Sequence, residues 1–203
     1  MKKAVHSDIP LKEAAHLLPL GAGFVMASSA DLRAALGMSA AVFLATLLSA
    51  IVISGLRKVI PDRFHLPVYL LIITVFVSII EAVMVTYFPI VVNMLGAHLA
   101  AVAVSAVPYR DAEDVAGVSA ERIAVKTALE TGGLFTLIMV ICALIRETFG
   151  NGSLWGVSIP ILQDYRVSAL TGAFGGYLIL AVVFAAIRSV KWKFTAKKEG
   201  ETR

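Results

Sequence analysis

A glutamate stands alone in the middle of an apolar run, Val77-Ser78-Ile79-Ile80-Glu81-Ala82. A carboxylate in hydrocarbon is expensive, so it faces a protein interior, stays protonated, or lines an ion or proton path. Two readings therefore stay open for Glu81: a member of such a path, or a neutral carboxyl hydrogen-bonded to a neighbouring helix. Glu130 is a second ion-path candidate, one turn inside another apolar run. Its position four residues after Lys126 favours a simple interfacial ion pair instead. His98 fits a ligand, a proton relay or a polar packing residue, and the absence of a second His or Cys at ligand spacing argues against metal. The sole cysteine, Cys142, excludes an internal disulfide framework and any thiolate-only metal or iron–sulfur cage built by this chain alone. Inside an apolar run it reads as a small packing residue. No phosphate-binding glycine loop, nucleophile elbow, Walker motif or HExxH is present, so nothing argues for a soluble-type active site.

The elements that must position these residues are membrane spans. The chain has 203 residues, 59% hydrophobic and 16% charged, with a mean hydropathy of +0.86. Soluble domains are less apolar and carry more charge. Ala34–Leu56 and Val167–Ile187 contain no charged residue, and each is long enough to cross the hydrocarbon layer as a helix. Apolar segments fall at about 14–30, 34–56, 67–89, 90–109, 127–146 and 167–188. With six crossings and an inside N-terminus, the outer regions hold only Arg33, Arg146 and Arg166 of the 18 Lys and Arg. That imbalance puts both termini in the cytoplasm, and dropping either short segment would carry whole basic loops outside. The net charge of +4 is thus a topology signal, not a nucleic-acid footprint.

Two segments look too broken for ordinary spans. Leu17–Ala30 is interrupted by Pro19, Gly21 and Gly23, and Ile90–Tyr109 carries Asn93, Gly96, His98 and Pro108. Each opens its half of the chain, the pointer to an inverted repeat with a working site near the bilayer midplane. Unwound backbone at that depth needs protein or a wet cavity around it. His16-Leu17 followed by Ala30-Asp31 and Ala34 parallels His98-Leu99 followed by Ala112-Glu113 and Ala116. The expected fold is an all-α membrane protein: six transmembrane helices in two inverted three-helix repeats, the first helix of each broken, both termini cytoplasmic. It forms one integral membrane domain over 1–203, with repeat 1 at about 14–89, repeat 2 at about 90–188 and a polar tail at 189–203. Lys2, Lys3 and Lys12 ahead of Leu17–Met26 imitate a cleavable signal peptide, but Gly21 and Gly23 weaken its apolar region and further spans follow. Gly172, Gly175 and Gly176 permit close helix approach in the last span. Arg146-Glu147 followed by Gly150-Asn151-Gly152 marks a helix end and a turn on the outer side.

Several of these residues carry a family resemblance. Arg57-xxx-Pro61, Pro67-Val68-Tyr69, Ile72-Ile73, Val77-Ser78, Tyr87 and Leu95-Gly96 lie on one ungapped stretch. Phe135-Thr136-Leu137 follows, then Ile145-Arg146-Glu147 with Gly150-Asn151-Gly152-Ser153-Leu154, and Gly172-Ala173-Phe174. Together they resemble the small six-span subunits of the Rnf and Nqr ion-translocating electron-transport complexes, nearer the RnfE/NqrD type than RnfA/NqrE.

The resemblance implies a subunit of the prokaryotic cytoplasmic (inner) membrane, paired in the bilayer with a homologous six-span subunit of opposite orientation. Each partner of such a pair offers two cysteines, one per broken segment, and together they hold a two-iron cluster that relays electrons. Flavins and iron–sulfur centres belong to the other subunits. This chain departs there. The family's Leu-Gly-Leu-Cys-Pro aligns with Leu20-Gly21-Ala22-Gly23-Phe24, leaving Gly23 at the ligand position, and its Asn-Cys aligns with Ser105-Ala106. Gly23 and Ala106 cannot ligate iron and Ser105 is a poor substitute for thiolate. The expectation is a non-catalytic subunit of an ion-translocating oxidoreductase, with a structural or ion-path role and no cofactor held by this chain. The alternatives are a stand-alone inverted-repeat transporter or channel-like protein that has lost the redox role, and a purely structural scaffold.

Overall fold

The computed structural model describes residues 31–117, 121–155, 157–158 and 168–200. The first broken segment, with Gly23, lies outside the described residues.

Helix α1 (Leu32–Leu56) is apolar or small beyond Arg33, with Leu36, Leu44 and Ile51 exposed and the rest of its surface largely turned into the bundle. Ala35, Met38, Val42, Ala45 and Ile53 are all fully buried. Its hydroxyls satisfy themselves along the helix. Thr46 Oγ1 donates to the Val42 carbonyl at 2.8 Å, and Ser49 Oγ donates to the Ala45 carbonyl. A dry surrounding requires such internal pairing.

Asp62–Phe64 forms a short turn after Pro61 and leads into α2 (His65–Tyr87). One face of α2, Tyr69, Ile73, Val77, Ile80 and Met84, is buried at helical spacing. The opposite face, Leu71, Val75, Ile79 and Val83, stays exposed and apolar, which suits lipid and not water. The helix stops at Phe88 (φ −131°, ψ 53°) because Pro89 disfavours helical geometry in the residue before it.

The next apolar segment is not one helix. α3 (Pro89–Leu95) passes through tight turns at Gly96–His98 and Ala100–Val104 into α4 (Ala106–Asp111). The two parts, Pro89–His98 and Ala100–Asp111, meet at 46°. Gly96 sits at φ 53°, ψ −139°, a conformation that side-chain-bearing residues avoid. The break expected within Ile90–Tyr109 is therefore present.

α5 (Glu121–Arg146) makes the largest interface with α1. There Gly132 lets the Phe43 ring close in: a Cβ at that position would stand 2.7 Å from Phe43 Cδ2. As the sequence suggested, the regular α-helix ends at Arg146. It widens there into a π-type turn over Glu147–Asn151, capped by Gly152, left-handed at φ 64°. The rest is a two-residue antiparallel ladder between β1 (Ser153–Leu154) and β2 (Val157–Ser158), then α6 (Ala173–Gly200). That small ladder is the one exception to an all-helical fold among the described residues. Trp155, in its turn, has φ 58°, unusual for a bulky side chain and costing about 1–2 kcal/mol.

Leu32–Leu56, His65–Tyr87 and Glu121–Asn151 are each long and apolar enough to cross a membrane, and the bent pair passes the same test when its two parts are taken together. α6 adds the apolar stretch Phe174–Ala186. The architecture is a helical membrane bundle packed around α1.

Candidate functional site

The bent span brings two of the sequence candidates to the point where its backbone unwinds. Ser105 is extended (φ −65°, ψ 137°) between the Ala100–Val104 turn and α4, and is 3% exposed. Its Oγ accepts the N–H of Val107 at 3.4 Å, the standard use of a serine at a helix start. Ala106 follows with its methyl exposed. His98 lies at the other side of the break, exposed, with Nδ1 3.1 Å from the Leu95 carbonyl. The helix carrying Glu81, α2, packs against the Ala100–Val104 turn and against α3 and α4. Glu81 itself is half-buried, and no donor among the described residues bonds its carboxylate. Glu130 is not drawn into this region. Its Oε1 is 3.8 Å from Lys126 Nζ on an exposed stretch of α5.

A second constellation lies where α1 starts and α5 ends. Arg146 and Glu147 are each 1% exposed. Glu147 Oε2 accepts the N–H of Leu32, the first helical residue of α1, at 2.8 Å. A carboxylate there meets both an N–H without an intrahelical partner and the positive end of the helix dipole. Arg146 turns the other way, donating to the carbonyls of Leu170 (3.0 Å), Thr171 (2.7 Å) and Gly172 (3.0 Å), just ahead of α6. Burying an isolated charge costs several kcal/mol. Here each is solvated by oriented backbone dipoles, and the neighbouring ends of three helices are tied together as a result. Asn151 Nδ2 donates to Asp31 Oδ1 at 3.2 Å, and the Asp31 carboxylate also acts electrostatically on Arg146. Leu32, Ala35 and Ala143 close a small buried apolar cluster beneath this clamp. The sequence marked Arg146-Glu147 as a helix end. Only the fold reveals a cross-brace.

Two buried polar residues were not recognised as interior from the sequence. Asp111, 5% exposed, ends the bent span, and Tyr69, 1% exposed, stacks on His65 at 5.3 Å with its hydroxyl against Gly117. Asp111 sits beside Arg110 at the end of an uncharged run, where nothing local separates a buried carboxylate from a loop one.

The chain matches the family described as "Rnf-Nqr subunit, membrane protein" over residues 2–190. It belongs to the Rnf-Nqr family. Among similar Rnf-Nqr proteins is the RnfE-type subunit of the Na(+)-translocating ferredoxin:NAD(+) oxidoreductase complex of Acetobacterium woodii. It is 32% identical over 158 residues, covering 78% of this chain and 79% of the relative. The corresponding subunit of the proton-translocating ferredoxin:NAD(+) oxidoreductase complex of Clostridium ljungdahlii is 29% identical, covering 68% of this chain and 64% of the relative. The NqrD-type subunit of the Na(+)-translocating NADH-quinone reductase of Haemophilus ducreyi is 27% identical over 95% of each chain.

For an Rnf-Nqr subunit the resemblance raised a two-iron cluster, and the residues at this break do not fit as its ligands. Ser105 Oγ is occupied as a helix cap, and Ala106 has no donor atom. Gly23 lies outside the described residues. No group of three or more His, Cys, Asp or Glu suited to a metal ion occurs among the described residues.

Proposed function

We propose that this chain is an integral membrane subunit of an Rnf/Nqr-like complex coupling electron transfer to Na⁺ or H⁺ translocation, serving a structural or ion-path role without bearing iron. The observation that carries this reading is the bent span. It unwinds at Ser105, whose oxygen is turned into its own backbone, and the resemblance aligns Ser105-Ala106 with the family's Asn-Cys. Relatives named for ferredoxin:NAD⁺ and NADH–quinone chemistry support the complex and the coupled ion. In this reading the chain has six spans in two inverted repeats and both termini in the cytoplasm. It sits in the cytoplasmic membrane of a prokaryote beside a homologous six-span subunit of opposite orientation. Flavins and iron–sulfur centres reside in the other subunits. Glu81, half-buried beside the bent span without a described partner, is the foremost ion-path residue, ahead of His98 and the Lys126-paired Glu130.

The test is iron content and electron paramagnetic resonance of the purified complex with and without this subunit. An unchanged two-iron signal in its absence is expected. A signal lost with this subunit overturns the iron-free role. The uncompensated Glu81 also favours a second reading, a stand-alone transporter or channel-like protein. That reading predicts ion flux by the purified chain alone in vesicles, where the first predicts none.

A further inference from the structure

At the end of the bundle where α1 starts, one cation is set apart from the clamp. Arg33 is exposed, and its Nη2 donates to the Trp155 carbonyl at 2.9 Å. Its guanidinium carbon stands 5.9 Å from the centroid of the Trp155 ring. No carboxylate pairs with it among the described residues, so the guanidinium keeps a full charge and free N–H groups. Asp31, two residues earlier, accepts a hydrogen bond from Asn151 Nδ2. The ring it holds is 49% exposed and belongs to a hairpin turn in the left-handed region, where Gly, Asn or Asp is the usual choice. A large aromatic therefore occupies a turn position that disfavours it, with Arg33 bonded to its carbonyl. Phe149, Val157, Phe174 and Tyr177 are exposed around the same end, at 53%, 66%, 75% and 48%.

We propose that Arg33 and Trp155 form a seat for the phosphate of a membrane phospholipid. The pair sits at the ends of α1 and α5, both long and apolar enough to cross the bilayer, which puts it at the level where hydrocarbon gives way to headgroups. Tryptophan favours that depth, and the surrounding aromatics extend the belt. The guanidinium, pre-oriented by the Trp155 carbonyl, turns its remaining fork of donors toward an anion, and phosphate matches that fork. Hydrocarbon below and phosphate above meet both halves of the pair. The hairpin thereby anchors the clamped ends of α1 and α5 to the membrane surface.

The experiment uses the full chain in nanodiscs, with Trp192→Phe leaving Trp155 as its single tryptophan. Phosphatidylcholine brominated high on the acyl chains, close to the glycerol, is expected to quench Trp155 more than lipid brominated near the chain ends, and aqueous acrylamide only weakly. Arg33→Gln is expected to raise acrylamide access about two- to fivefold, the factor an exposed cation–π contact carries, and Arg33→Lys to recover part of it. Full acrylamide quenching with no effect of bromine overturns the seat, as does an unchanged profile in Arg33→Gln. In the intact complex, a benzophenone amino acid at position 155 should form phospholipid adducts on irradiation. A cross-link to another subunit in their place makes the hairpin a protein contact and also overturns the proposal.

Discussion

Arg146 and Glu147 are adjacent in sequence, both buried, and opposite in charge, yet each is satisfied by backbone from a different part of the chain. Removing Glu147 takes from the buried Leu32 N–H its carboxylate partner, a heavier loss than the net worth of the bond itself. Glu147→Ala should destabilise the protein by about 2–3 kcal/mol, the range for a hydrogen bond to a charged group, whereas Glu147→Gln keeps an acceptor for Leu32 and recovers much of it. Thermal unfolding of the detergent-solubilised chain reads both variants. Glu81 has the opposite character: half-buried and without a described partner. Glu81→Gln should leave assembly and thermal stability unchanged while abolishing coupled ion movement. A variant that only fails to assemble sinks the ion-path assignment and favours the scaffold reading.

Among the elements, the bent span and the α1–α5 interface behave differently because one is held by conformation and the other by packing. Gly96 has open space around its Cα, so any cost of Gly96→Ala comes from its φ of 53° alone, about 1–3 kcal/mol. Gly132→Ala acts on packing instead: the new methyl meets the Phe43 ring, and overfilling a close interface costs about 1–3 kcal/mol. The two should be separable by a compensating Phe43→Leu change, which restores stability to Gly132→Ala and leaves Gly96→Ala unrescued in the same unfolding assay. The π-type turn after α5 belongs to this scale as well. By widening the helix end it lets Arg146 and Glu147 address α6 and α1 from consecutive positions.

For the whole molecule, α1 is the hub, and the residues facing it from α5 are sealed. Cys142 is fully buried, so a maleimide should not label it in the native membrane, and labelling should appear only on unfolding. Labelling at the native rate of an exposed thiol would mean that α5 is packed differently from the arrangement described. The outward faces of α2, α5 and α6 remain apolar, Leu71, Val83, Leu137 and Val182 among them, as expected for a bundle solvated by lipid and neighbouring subunits. Their exposure cannot be read as a defect of the core.

Local pattern alone determined that this chain is a membrane protein, that Leu32–Leu56, His65–Tyr87 and Glu121–Asn151 hold long apolar helices, and that the segment after Pro89 is broken. Apolar run length, missing charges and the positions of Gly and Pro act over a few residues, and the bilayer imposes the same demand on each span. The ungapped motifs from Arg57 to Gly96 and from Ile145 to Leu154 were enough to indicate the family. The tertiary structure alone decided which charges are interior. Glu147 finds its partner 115 residues earlier, and Arg146 finds its own 24 to 26 residues later. The same helix end thus looked like an exposed turn until its neighbours were in place. Ser105 illustrates the same division. The lack of a cysteine at Ser105-Ala106 was plain in the sequence, but only the folded backbone turned the serine oxygen into the start of a helix. Burial and capping depend on which distant backbone arrives alongside, and no local spacing encodes that.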